Sequence, residues 1–83
     1  PPHTIGRGFL YRDLAVTINA RGGQGDLEEA VRLSELAINS WPYTRERQGC
    51  WDSAFVILIS YYESTNQMQK LQDTRARCIS SPR

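Results

Sequence analysis

Apolar positions along this chain fall into four stretches with helical spacing, separated by glycine, proline or charged punctuation. The clearest is GDLEEAVRLSELAINSWP, Gly25 to Pro42. Leu27, Ala30, Val31, Ser34, Ala37, Ile38 and Trp41 recur on one face, while Arg32, Glu35 and Asn39 lie mostly on the other. Asp26 and Glu29 are spaced as a capping box, and Pro42 lacks the N–H that would carry the helix further. Upstream, Tyr11, Leu14 and Ile18 of the segment 9–20 fit one helical face, and the glycines of Arg21-Gly-Gly-Gln-Gly25 end it by releasing the chain into left-handed conformations. Residues 1–8, with two prolines, two glycines and the lone histidine, read as a flexible arm.

The third stretch, Trp51 to Ser64, is ambiguous. Val56, Ile57, Ile59, Tyr61 and Tyr62 favour strand. No hairpin partner is visible, however, and both flanks are helical, so helix is preferred. Its apolar residues run nearly all round. Trp51, Phe55, Ile59 and Tyr62 form one stripe, and Ala54, Leu58 and Tyr61 line the next face. Three short helices are not expected to cover such an element completely, and a large exposed apolar patch usually marks a contact surface. The fourth stretch, Asn66 to Ile79, puts Met68, Leu71, Arg75, Cys78 and Ile79 on one face before Ser80, Ser81 and Pro82. The expected fold is therefore all-α: a single domain over 9–83, with helix pairs at about 9–42 and 50–80.

Gly25, Ala30, Ala37 and Pro42 also carry a resemblance. Their spacing is similar to that of the second helix of a tetratricopeptide repeat, a unit of two antiparallel helices over about 34 residues. In that family small residues let helices approach closely, the glycine turns the chain within a pair and the proline closes the unit. The interval from Thr65–Asn66 to Pro82 equals that from Gly25 to Pro42. There Lys70 and Arg77 fall at the alanine places, and a one-residue slide substitutes Leu71 and Cys78. The resemblance implies two stacked helical hairpins whose first and third helices line a groove for a peptide or helix of a partner. Carried over by position, the groove residues would be Arg12, Ala15 and Asn19, with Asp52, Phe55, Ile59 and Tyr62. Of these, Arg12, Asn19, Phe55, Ile59 and Tyr62 are the candidate partner-binding set. The family's carboxylate clamp is not reproduced, since Ala15 and Val56 stand where polar clamp residues are needed. Core packing competes with the groove role at each residue of the third stretch.

Composition narrows the role. Ten basic and nine acidic residues in 83 leave a net charge of +1, too little for a general electrostatic nucleic-acid binder. Arg45, Glu46 and Arg47, like Arg75 and Arg77, read as solvated charges with no aromatic stacking platform beside them. AFVILI, from Ala54 to Ile59, falls far short of the roughly 20 residues a membrane span needs. His3 lies in the expected arm, Asp13 and Asp52 lack acid–base partners, and the glycines at 22, 23 and 25 do not follow a strand. No catalytic, metal or cofactor set emerges.

Cys50 and Cys78 lack metal-site spacing and are too few for a disulfide scaffold, so they read as ordinary thiols in a reducing, cytoplasmic setting. The opening PPHTIG, without Met, reads as that of a processed product or an excised piece. The expected function is non-catalytic protein–protein recognition by a scaffold-like helical module. The alternatives are a self-associating structural or oligomerisation domain, and the sensor or effector part of a larger regulator.

Overall fold

The computed structural model describes residues 2–41 and 49–79, with side chains from residue 6 onward. Four helices follow in chain order: α1 (Pro2–Arg21), α2 (Asp26–Asn39), α3 (Ser53–Ser64) and α4 (Met68–Ala76). Among the described residues there is no strand, only one isolated bridge between Gly49 and Ile79. The all-α expectation holds, and α3 is helical despite its β-branched run. Burial explains this: Ala54, Phe55, Ile57, Leu58 and Tyr62 are all buried against neighbouring helices, and tertiary packing overrides a weak intrinsic preference.

The helix at 2–8 corrects the expectation of a flexible arm. Proline is tolerated in a first helical turn, where its missing N–H has no intrahelical role. Gly8 is buried rather than idle. A Cβ there would lie 2.8 Å from Trp41 Nε1, 3.0 Å from Ser40 Cβ and 3.1 Å from the Ala37 carbonyl oxygen. Glycine thus lets the start of α1 press against the end of α2, and the packing offsets its low helix propensity. Gly22 and Gly25 take positive φ, 69° and 82°, and turn the chain between α1 and α2 as their sequence suggested.

The capping box does not form. Gly25 is the N-cap of α2 and contributes no side-chain hydrogen bond. Asp26 instead accepts from the Gly23 amide at 3.0 Å and from two Arg21 nitrogens, and Glu29 takes Arg32 as its partner. With two guanidinium groups within reach, both carboxylates make charge-assisted bonds that outcompete a reciprocal cap. Ser40 is the C-cap of α2, and the Ser40 and Trp41 amides donate back to Ala37 and Ile38. Pro42, Arg45, Glu46 and Arg47 lie outside the described residues.

The α1–α2 hairpin is antiparallel: Gly8 meets the end of α2, and Arg21 meets its start. α3 packs against both helices, and α4 packs on α3. Ala15, Ala30, Ala37, Ala54 and Leu58 are fully buried where helices meet. Trp41 joins α1, α2 and α3, with its ring 5.4 Å from Phe9 and 6.1 Å from Phe55. Between α3 and α4, Asn66 adopts φ 59°, a conformation asparagine tolerates better than most residues. Leu71 of α4 and Cys78, two residues beyond its end, are buried, and Lys70 is exposed. Met68 and Ile79, expected on the same face, are exposed.

Cys50 and Cys78 are not free thiols. They form a disulfide with their Cα atoms 5.0 Å apart. Cys50 N donates to the Ile79 carbonyl at 2.8 Å beside it, so a covalent bond and a backbone bond close the open end of the α3–α4 hairpin. The sequence suggests free thiols because a spacing of 28 residues gives no sign that the two ends of a helical hairpin meet.

Candidate functional site

α1 and α3 run side by side in the same direction. Near the start of α3, Arg12 Nη1 donates to Asp52 Oδ2 at 3.1 Å. Further along, Asn19 shares a cleft with Leu27, Val56, Ile57, Ser60, Tyr61 and Ser64, enclosing about 310 Å³. Leu27 comes from the first turn of α2. Val56, Ser60 and Ser64 follow one another at four-residue steps along α3, so they form one stripe. Its lining is apolar at Leu27, Val56 and Ile57 and carries neutral polar groups from Asn19, Ser60, Tyr61 and Ser64. Val56 is 46% exposed, the most open large apolar side chain of α3.

The expected groove residues separate into three groups. Phe55 and Tyr62 are core residues, 2% and 3% exposed, and neither lines the α1–α3 cleft. Ala15 is likewise fully buried, and Ile59 is half-buried against the core. Arg12 is engaged within the chain. Its guanidinium pairs with Asp13 and Asp52 and lies 5.0 Å over the Phe9 ring. Burial works against charge there, but the bonds to Asp13 and Asp52 prevail and raise its pKa. Only Asn19 stands in the cleft. The carried-over positions failed on α3 because the helix is rotated to bury Phe55 and Tyr62, which brings Val56 and Ser60 outward. The signal that could have found them is the small and polar spacing of Val56, Ser60 and Ser64, which the surrounding apolar run concealed. Coverage of α3 is also more complete than expected.

A second cleft, of about 320 Å³, lies between α2 and α4 and carries Glu35, Asn39, Lys70, Asp73 and Arg77. Much of its polarity is used internally. Tyr62 Oη donates to Glu35, Lys70 sits over the Tyr62 ring, and Arg77 donates to Asn39 Oδ1 and the Ile38 carbonyl. Burial and the nearby Glu35 carboxylate push the Tyr62 phenol well above its ordinary pKa. Among the described residues no group of histidine, cysteine or acidic side chains could hold a metal, and no helix is long and apolar enough to cross a membrane.

Comparison with protein-family models, curated proteins and solved structures finds no match to this chain.

Proposed function

We propose that the chain is a non-catalytic protein-recognition module whose α1–α3 cleft receives a small apolar side chain from a peptide or helix of a partner protein. The observation that carries this reading is the cleft itself, lined by apolar Leu27, Val56 and Ile57 and by neutral polar side chains. A pocket without charge offers little to a phosphate or carboxylate. It suits an apolar anchor flanked by backbone polar groups, which Asn19, Ser60 and Ser64 can hydrogen-bond. In this reading the two hairpins stack as in tetratricopeptide repeats, and α1 and α3 form the receiving wall. Buried Ala30 and Ala37 support that arrangement.

The disulfide bears on where the module works. Free thiols were the premise of a cytoplasmic, reducing setting. A disulfide persists in oxidising surroundings, so the bond favours action outside the reducing cytosol.

The test is selection of a randomised displayed peptide library on the oxidised chain, repeated with Val56→Arg and Ser60→Trp, which block the cleft. The expected outcome is enrichment of sequences with a shared apolar anchor, lost in both variants. Enrichment that survives both substitutions would remove the cleft from the reading.

A further inference from the structure

The cleft between α2 and α4 is built unlike the α1–α3 cleft. Its lining carries two acidic groups, Glu35 and Asp73, and two basic ones, Lys70 and Arg77, alongside apolar Ile38 and Leu58. The signs balance, so the cleft as a whole favours neither a strong anion nor a strong cation. At about 320 Å³ it stands at the small end of small-molecule sites, which run from about 300 to 1,000 Å³.

One end of this cleft is bridged. Arg77 reaches from the end of α4 to Asn39 Oδ1 at 2.9 Å and to the Ile38 carbonyl at 2.8 Å, and Cys78 beside it is tied to Cys50. Walls joined in this way are preorganised, and a bridged end suits a short guest better than a chain running through. Two helical turns away along α4, about 10 Å, the cleft holds separated opposite charges. Glu35 accepts the Tyr62 hydroxyl, and the Lys70 ammonium lies 5.7 Å over the centre of the same ring. Among the described residues neither Glu35 nor Lys70 has an ion-pair partner within 4 Å, so the two charges sit around one ring without meeting. Thr74, one turn beyond Lys70, is 6% exposed and lines the cleft, and its hydroxyl has no hydrogen-bond partner among the described residues.

We propose that the α2–α4 cleft binds a free α-amino acid with an apolar side chain. Such a ligand carries both charges on one carbon atom. Its ammonium goes to Glu35, and its carboxylate goes to Lys70 and the Thr74 hydroxyl. The side chain then lies against Ile38 and Leu58. A ligand with only one of the two charges leaves either Glu35 or Lys70 unmatched. The site is independent of the α1–α3 cleft and of the protein-recognition reading.

The experiment is titration of the oxidised, ¹⁵N-labelled chain with L-leucine and with L-phenylalanine, followed by backbone amide shifts. N-acetyl-L-leucine, which lacks the ammonium, and L-leucinamide, which lacks the carboxylate, run beside them. The expected result is saturable movement of the Asn39, Lys70 and Thr74 amides, while those of Ser60 and Ser64 stay in place. Affinity should fall at least about tenfold for each blocked ligand, and likewise in Glu35→Gln and Lys70→Gln, as loss of one charge-assisted contact predicts. The blocked ligands test the charges on the unaltered chain, so they decide the matter even if a variant unfolds. No saturable shift with either amino acid, equal affinity for a blocked ligand, unchanged affinity in either folded variant, or shifts centred on Ser60 would overturn the proposal.

Discussion

The Asp52 carboxylate joins two helices at once: Oδ1 accepts the Ala54 amide at 3.0 Å as the N-cap of α3, and Oδ2 accepts Arg12 of α1 at 3.1 Å. One side chain thereby starts α3 and fixes its end against α1. Asp52→Asn keeps the capping oxygen and loses the charge, whereas Asp52→Ala loses both functions. The expected cost of the alanine variant is about 1–2 kcal/mol. Asparagine should cost less than half of that. Urea denaturation of both variants, in a cycle with Arg12→Ala, separates cap from ion pair. Equal losses for the two variants would show that the cap carries no weight.

Reduction should loosen α4 before the rest. This helix has nine residues and buries only Leu71 and Thr74, so its docking depends heavily on the Cys50–Cys78 bond. Removing a crosslink of this span costs about 3.5 kcal/mol in the chain-entropy account. Cys50→Ser/Cys78→Ser should unfold at lower denaturant. In hydrogen exchange, amides of α4 should lose protection ahead of those of α2. Uniform loss of protection across all four helices would contradict a locally acting crosslink.

Two glycines of α1 should respond in opposite ways to alanine. Nothing lies within 4 Å of a Cβ at Gly6, so Gly6→Ala gains helix propensity of up to about 1 kcal/mol. At Gly8 the same methyl meets the Ala37 carbonyl oxygen, Ser40 Cβ and the Trp41 indole. Gly8→Ala should therefore destabilise by about 1–3 kcal/mol, net of its propensity gain. Thermal melts of both variants check the sign, and stabilisation at position 8 would contradict close packing of α1 on α2.

The sequence conveyed some of this well and some of it badly. Helix α2 was legible because its apolar face is unbroken, and Ala30 and Ala37 marked close helix contacts. The α1 start was not, because Gly8 reads as a loop residue until Trp41 is known to lie against it. The capping box misled because motif spacing ignores the guanidinium groups of Arg21 and Arg32 that compete for the same carboxylates. On the candidate site, only Asn19 was placed in the cleft. An all-round apolar helix such as α3 gives no phase, so Phe55 and Tyr62 could not be distinguished from Val56 by pattern alone. Arg12–Asp52 and Cys50–Cys78 are contacts between residues distant in sequence, which periodicity does not encode.

Tyr62 predicts how the fold responds to alkali. Its hydroxyl donates to Glu35, and burial together with that carboxylate raises the pKa of the phenol. An unfolded tyrosine ionises near pH 10. Because the folded pKa lies higher, the native state retains a proton that the unfolded chain releases. The stabilisation is thus fully present below pH 10 or so and falls as pH rises toward the folded value, by at most about 1.4 kcal/mol per pH unit. Tyrosinate absorbance should show one phenol that titrates only as helicity is lost. Tyr62→Phe should remove that late step and flatten the decline in stability above pH 10, although losing the Glu35 bond lowers stability at neutral pH by about 1 kcal/mol. If all tyrosines titrate together while the helices remain intact, Tyr62 is not shielded in the way its contacts require.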